Sequence, residues 1–183
     1  MKRSMLVVVI QIILILLTAC QVQEKTVCPL ENLLLDKTVF PNGATEDSIG
    51  TPIKDKPIRS AARTLYYNNT VVFQYVIEYS TSDRAQKIYQ DELNATFPQN
   101  KYVGSWKAPD FGFKSKTSEA YQYLCGEMDN RNVCRYFARY STYIVYLQVY
   151  ISTTGLSETD FQRAMNFIDL KMVSCILGDQ QVR

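Results

Sequence analysis

Apolar and polar positions change period several times along the chain, and each change marks an element. Met5 to Leu17 is a continuous apolar run broken only by Gln11. Thr70 to Tyr79 alternates, with Val71, Phe73, Tyr75, Ile77 and Tyr79 large and apolar and Gln74 and Glu78 between them. A period of two predicts a strand with its odd positions in the core. The period then becomes helical. Ala85, Ile88, Tyr89, Leu93 and Phe97 share one face, Ser82 is the expected N-cap, Asp83 suits the first turn, and Pro98 stops the helix. Three more strands are expected at 119–126, 132–140 and 142–152, joined by tight turns at Asp129-Asn130 and Ser141-Thr142. The second turn sets Tyr136 opposite Leu147 and Ala138 opposite Val145. A final helix opens at Ser157, with Phe161, Ala164, Met165, Ile168, Met172, Cys175 and Ile176 as its inner stripe. Pro41 to Pro57 and 99–118 read as loops. Strand, helix, three antiparallel strands and helix predict an α+β domain. It should be an antiparallel meander sheet of about four to six strands with helices packed on it, including a long C-terminal helix.

The first apolar run is short of the ~20 residues that span a bilayer and has the length of a signal-peptide core behind Lys2 and Arg3. It ends in Leu17-Thr18-Ala19-Cys20. That segment resembles the lipobox of bacterial lipoproteins, in which the cysteine sulfur receives a diacylglyceryl group and the peptide is cut before it. The resemblance implies a signal peptide over 1–19, a lipidated tether over 20–27 and a single globular domain over 28–183. Cys20 would be the acylated residue, and the membrane would be a partner through that anchor. The expected location is the cell membrane or outer membrane, facing an extracytoplasmic compartment. Gln21 is not the aspartate that marks inner-membrane retention in double-membrane bacteria, so outward sorting is allowed.

Cysteine usage fits such a compartment. Cys28, Cys125, Cys134 and Cys175 remain after Cys20, and an even number in an exported domain reads as two disulfides. With a two-residue turn at Asp129-Asn130, Met128 faces Arg131, and Cys125 falls opposite Cys134 on a closely spaced, non-hydrogen-bonded pair. The other bridge is then Cys28–Cys175, tying the start of the domain to its last helix. In the chain-entropy picture the two contribute about 3 and about 5 kcal/mol.

Composition narrows the chemistry. The chain has no histidine, which removes His-based triads and most catalytic zinc sites. Seven glycines form no phosphate-cradling motif. Removing Lys2 and Arg3 from 20 basic residues leaves 18 against 18 acidic ones, without the surplus that nucleic acid demands. Glu127 and Asp129 flank a turn where solvated acids are expected. The Asn68-Asn69-Thr70 and Asn94-Ala95-Thr96 sequons read as chance. The loop from Lys101 to Lys116 interleaves Lys101, Lys107, Lys114 and Lys116 with Tyr102, Trp106, Phe111 and Phe113. Either it rests on a membrane or anionic polymer, or its aromatics tuck into the core.

No catalytic, metal or cofactor site is expected. If Tyr121, Tyr123, Tyr136, Ala138, Val145, Leu147 and Val149 face the core, the opposite face carries Gln122, Leu124, Arg135, Phe137, Arg139, Tyr146, Gln148 and Tyr150. Within that face, Arg135, Phe137, Arg139, Tyr146, Gln148 and Tyr150 are the candidate binding surface, suited to an envelope protein or glycan. The alternative is that Glu31 to Val39 or another loop covers it. The element order from Thr70 to Cys175 also weakly resembles the PsbP/Mog1-like fold, in which a strand runs into a long last helix. The expected function is a lipid-anchored, non-catalytic binding or assembly module of the cell envelope. Its rivals are an envelope enzyme working through carboxylates or tyrosines and a purely structural component.

Overall fold

The computed structural model describes residues 28–51, 57–98 and 106–178. Cys20, the signal segment and the tether lie outside the described residues, as do Lys101 and Tyr102. The domain is α+β, built on a six-stranded antiparallel sheet of order β1-β2-β3-β6-β5-β4. The strands are β1 Thr45–Glu46, β2 Arg59–Tyr67, β3 Thr70–Glu78, β4 Ala120–Met128, β5 Arg131–Tyr140 and β6 Tyr143–Ile151. Helix α1, Ser82–Thr96, connects β3 to β4, and helix α2, Glu158–Gly178, follows β6. Short 3-10 turns at Leu30–Leu33 and Lys37–Val39 precede β1. Among the described residues no helix is long and apolar enough to cross a membrane.

The meander β4-β5-β6 has the register that its turns demand. Asp129 and Asn130 have φ of 52° and 57°, the left-handed pair of a type I′ hairpin. Met128 pairs with Arg131, Cys125 with Cys134, Tyr136 with Leu147 and Ala138 with Val145. The bridges Cys125–Cys134 and Cys28–Cys175 are both present, with Cα separations of 4.0 and 5.8 Å. Strand β2 lacks a clean period and is not predicted. The same turn chemistry makes it: Asn68 and Asn69, with φ of 42° and 62°, close a second I′ hairpin between β2 and β3. The asparagines of the sequon are therefore turn residues. The expected loop at Pro41 to Pro57 contains β1, and Gly50 bridges Ala62 on β2.

Each face of the sheet carries a core, which corrects the one-sided reading of β3. Its even positions form the deeper core, with Val72 at 1% exposure and Gln74 and Val76 at 0%. They lie on the α2 face beside Tyr136, Ala138, Val145, Leu147 and Val149. The α2 stripe Phe161, Ala164, Met165, Ile168 and Met172 packs on them with no exposure at all. Each large side chain there contributes about 1.5–3 kcal/mol of burial. Helix α2 starts where Ser157 caps it: Ser157 Oγ accepts from Asp160 N at 3.3 Å, and Asp160 Oδ2 accepts from Ser157 N at 2.9 Å. Helix α1 is capped by Thr81, one residue before the expected Ser82, through Arg84 N to Thr81 Oγ1 at 3.2 Å.

The α2 face also takes the leucine-rich segment Leu30 to Phe40, which the Cys28–Cys175 bridge ties down at its start. This segment is not a strand, so its buried peptide groups need partners. The side chain of Gln74 supplies two. Leu35 N donates to Gln74 Oε1 at 2.6 Å, and Gln74 Nε2 donates to Leu33 O at 3.1 Å. Arg63 donates to Leu35 O at 2.9 Å. A glutamine in the middle of a strand pattern marks an outward face by sequence; here it is an internal clamp.

A second polar network lies under α2. The Tyr136 and Tyr140 hydroxyls are 2.6 Å apart, and Tyr140 donates to Asp169 at 3.1 Å. Asp169 also accepts from Lys116 N at 2.9 Å and from Ser115 Oγ, pinning 115–118 to the helix. Burial, above all, raises the pKa of Tyr136, Tyr140 and Tyr75, and pushes Tyr89 up to about 12.

Replacing Gln74 by Leu should cost about 2–5 kcal/mol, because an amide N–H and a carbonyl stay buried without partners. Urea denaturation would register it as a lower midpoint at unchanged slope. The raised tyrosines link stability to alkaline pH. Each keeps its proton in the folded state and loses it near pH 10 when unfolded, so stability is full below pH 10 and falls as pH rises above it. An ultraviolet titration should find fewer than the chain's 13 tyrosines ionising before unfolding, with the rest released in the unfolding transition.

Candidate functional site

The face opposite α2 is divided between packing and an open strip. Register sets its rows across the sheet. One row is Ala62, Tyr75, Tyr146, Phe137 and Gln122, and the next is Thr64, Phe73, Gln148, Arg135 and Leu124. Helix α1 rests on β5 and β6. Tyr89 from α1 stacks on Phe137 with ring centroids 4.9 Å apart and planes 7° from parallel. Ala85, Ile88, Phe97 and Trp106 complete this second core.

Half of the expected binding surface is therefore closed. Phe137 has no exposure, Arg135 is 9% exposed and Arg139 8%. The cover is α1 and the Trp106 segment; Glu31 to Val39 lies on the other face. Arg139 pairs with Glu119 and donates to Ser82 Oγ at 3.1 Å. Arg135 donates to Thr96 O at 2.6 Å, Gln148 Oε1 at 2.8 Å and Met128 Sδ at 3.2 Å. Its guanidinium sits 5.2 Å from the Trp106 ring centre. A cation on the last carbonyls of α1 also complements the helix dipole. These side chains hold the layer together. Their sequence pattern matched a binding face because the cover, α1, comes from a distant segment of the chain.

The loop aromatics that are described also turn inward. Trp106 is buried on the α1 face and donates to Pro98 O at 3.0 Å, while Phe113 is buried on the α2 face against Tyr136. Between them, Lys107 pairs with Cys125 through two backbone hydrogen bonds of 2.8 Å, so the chain crosses the free edge of β4. Glu127 and Asp129 are exposed beside their turn. The Cys125 and Cys134 sulfurs lie near Glu158, but they are bonded to each other and are not available as ligands.

Tyr146, Gln148 and Tyr150 remain half-exposed, and two strands that sequence patterning assigned otherwise extend them. Phe73 and Val71 of β3 are half-exposed on the same face, and Tyr66 of β2 is 45% exposed. The rings are held. Tyr146 stacks on Tyr75 at 4.9 Å, Phe73 meets both at 6.1 and 6.2 Å, and the Arg131 guanidinium lies 5.8 Å over Tyr150. Gln148 is the polar centre. Its Oε1 accepts from both Tyr146 OH at 2.7 Å and Arg135 Nε at 2.8 Å. That fixes the amide and leaves Nε2 as an oriented donor among the rings. The contributions of Phe73 and Tyr66 depend on β3–β6 pairing, which no turn encodes. The Asn-Asn turn was the one local signal that could have placed β2.

Arg135→Ala and Phe137→Ala should each destabilise the domain by about 2–5 kcal/mol, the first by leaving Thr96 O without its partner and the second by removing covered packing. Tyr150→Ala should stay within about 1 kcal/mol, as expected for a surface ring. Thermal melts of the three variants would distinguish the packed half of the face from the open half.

No protein-family model matches the chain, and no curated protein matches it. Among solved structures, the extracellular domain of PknH from Mycobacterium tuberculosis is similar, with a TM-score of 0.52 over 80% of this chain and 98% of that one, at 13% identity. At that identity the likeness is one of fold.

Proposed function

We propose that this protein is a lipid-anchored, extracytoplasmic binding module without catalytic activity. The open strip around Gln148 is its capture surface. The observation that carries the reading is the fixed Gln148 amide, whose free donor is set among Phe73, Tyr146 and Tyr150. Aromatic surface supplies contact area, and a fixed polar group supplies direction. The lipobox segment ending at Cys20 and the two disulfides support an exported, tethered protein. Two acyl chains would hold it stably. Cys28, where the described domain begins, is bridged to Cys175 on the α2 side of the sheet, opposite the strip.

A catalytic reading finds little support. Among the described residues, the groups with shifted pKa values are buried tyrosines held neutral, whereas a general base needs a group poised to accept a proton.

The test has two arms on the full chain. Cys20→Ala should leave the protein unprocessed or release it from membranes; normal cleavage with continued membrane fractionation contradicts the anchor. Immobilised protein should retain a component of solubilised envelope fractions, peptidoglycan included, and Tyr150→Ala should lose it at an unchanged melting temperature. Equal retention by Tyr150→Ala contradicts the strip as the capture surface.

A further inference from the structure

The two helices differ in the charge they turn outward. On α1 the exposed side mixes Asp83 and Asp91 with Arg84 and Lys87, and Lys87 pairs with Asp91 at 2.5 Å. On α2 the acids after Glu158 turn inward: Asp160 is 6% exposed and Asp169 4%. From Gln162 to Gly178 the outer side of α2 therefore presents no carboxylate, while Arg163 and Lys171 are exposed on it.

The same side carries apolar surface. Leu170 is 54% exposed, and Phe167 is half-buried one turn before Lys171. Lys171 Nζ lies 5.2 Å over the Phe167 ring, so its stem covers the ring while its charge stays outward. The segments packed beside the helix add charge of the same sign. On one flank Lys37 is exposed at the start of a turn whose Val39 O accepts from Arg163 at 3.2 Å. On the other, Lys114 and Lys116 are exposed on the segment that Asp169 fastens to α2. Glu31 and Asp36 oppose them, but Asp36 is engaged with Thr38 N at 2.8 Å. An apolar centre with a basic rim is the surface of a helix that lies in a membrane interface.

A lone exposed leucine is ordinary on a protein surface. What marks this one is its place relative to the anchor. The bridge Cys28–Cys175 fastens the start of the domain to α2. Leu170 is five residues from Cys175, about 7.5 Å along the helix axis. Cys20 precedes Cys28 by eight residues, and eight residues reach at most about 29 Å when fully extended. An acylated Cys20 thus keeps the C-terminal half of α2 close to the bilayer. A short tether raises the local concentration of the two surfaces to about millimolar, so a contact too weak to hold a free protein suffices to orient an anchored one. Anionic headgroups select the basic side for that contact.

We propose that the outer side of α2 rests on an anionic lipid surface. Leu170 and Phe167 sit at the headgroup boundary, and Lys171 and Lys114 lie among the headgroup phosphates. The inference rests on the anchored reading above and adds an orientation to it. The sheet stands between the bilayer and the strip, so Tyr146, Gln148 and Tyr150 face the compartment.

The test uses the full-length acylated protein in vesicles of equal parts phosphatidylcholine and phosphatidylglycerol. Two variants carry a reporter indole, Leu170→Trp on α2 and Tyr150→Trp on the strip. Native Trp106 is buried, and the parent supplies its background emission. Brominated acyl chains quench an indole that touches them. We expect Leu170→Trp to lose most of its added emission in brominated vesicles and Tyr150→Trp to keep its own. Lys114→Glu with Lys171→Glu should restore the Leu170→Trp emission severalfold, and so should phosphatidylcholine alone, with flotation on the vesicles and melting temperature unchanged. Equal quenching of the two reporters overturns the proposal, as does quenching that ignores both charge reversal and removal of phosphatidylglycerol. A blue-shifted but unquenched Leu170→Trp also overturns it, since protein rather than lipid would then cover the face. Protein that does not float with the vesicles refutes the anchor and the orientation with it; protein that floats with Leu170→Trp unquenched refutes the orientation alone.

Discussion

Coverage of a two-faced sheet is the constraint on which the rest depends. Both faces of this sheet carry large apolar side chains, and both must be kept from water. A helix is about 10 Å wide and strands are about 4.8 Å apart, so one helix shields roughly two strands. On one face α2 is joined by Leu30 to Phe40 and by Phe111 and Phe113, and together they cover the sheet. On the other, α1 is joined among the described residues by the Trp106 segment, and it lies over β5 and β6. The rows beyond it toward β3 and β2 are left half-exposed. The strip is where the covering layer runs out.

The covered and open halves of that face are physically linked. Arg135 reaches from beneath α1 to Gln148 Oε1, and the Tyr146 hydroxyl reaches the same atom from the open side. The packing that closes one half thus sets the direction of the amide in the other. Gln74 and Asp169 do comparable work on the α2 face, where each is a buried side chain that bonds the backbone of a non-strand segment. Buried polar side chains in this domain mark places where an irregular segment is fastened to a regular one. The two disulfides repeat the pattern with covalent bonds, one holding the start of the domain to α2 and the other joining neighbouring strands.

Local signals made much of the fold legible. Turn chemistry at Asp129-Asn130 set the β4–β5 register and with it the Cys125–Cys134 bridge. The stripes of α1 and α2 identified which side chains each helix buries. Non-local facts were not legible. The pairing of β3 with β6 places Phe73 and Tyr75 beside Tyr146, and no short-range pattern encodes it. Gln74 looked outward because a lone glutamine in an alternating strand usually is. Arg135, Phe137 and Arg139 looked available because the residues that cover them come from α1 and Trp106. Tyr146, Gln148 and Tyr150 are on the expected face, but their partners from β2 and β3 needed the assembled sheet.

The division of the α1 face into a packed and an open half is the central claim, and side-chain footprinting of the native protein with hydroxyl radicals tests it most directly. Oxidation rates should be high at Tyr66, Phe73 and Tyr150 and low at Tyr89, Trp106 and Phe137. Protection of Tyr150 and Phe73 to the same degree as Phe137, or ready oxidation of Phe137, would contradict the account.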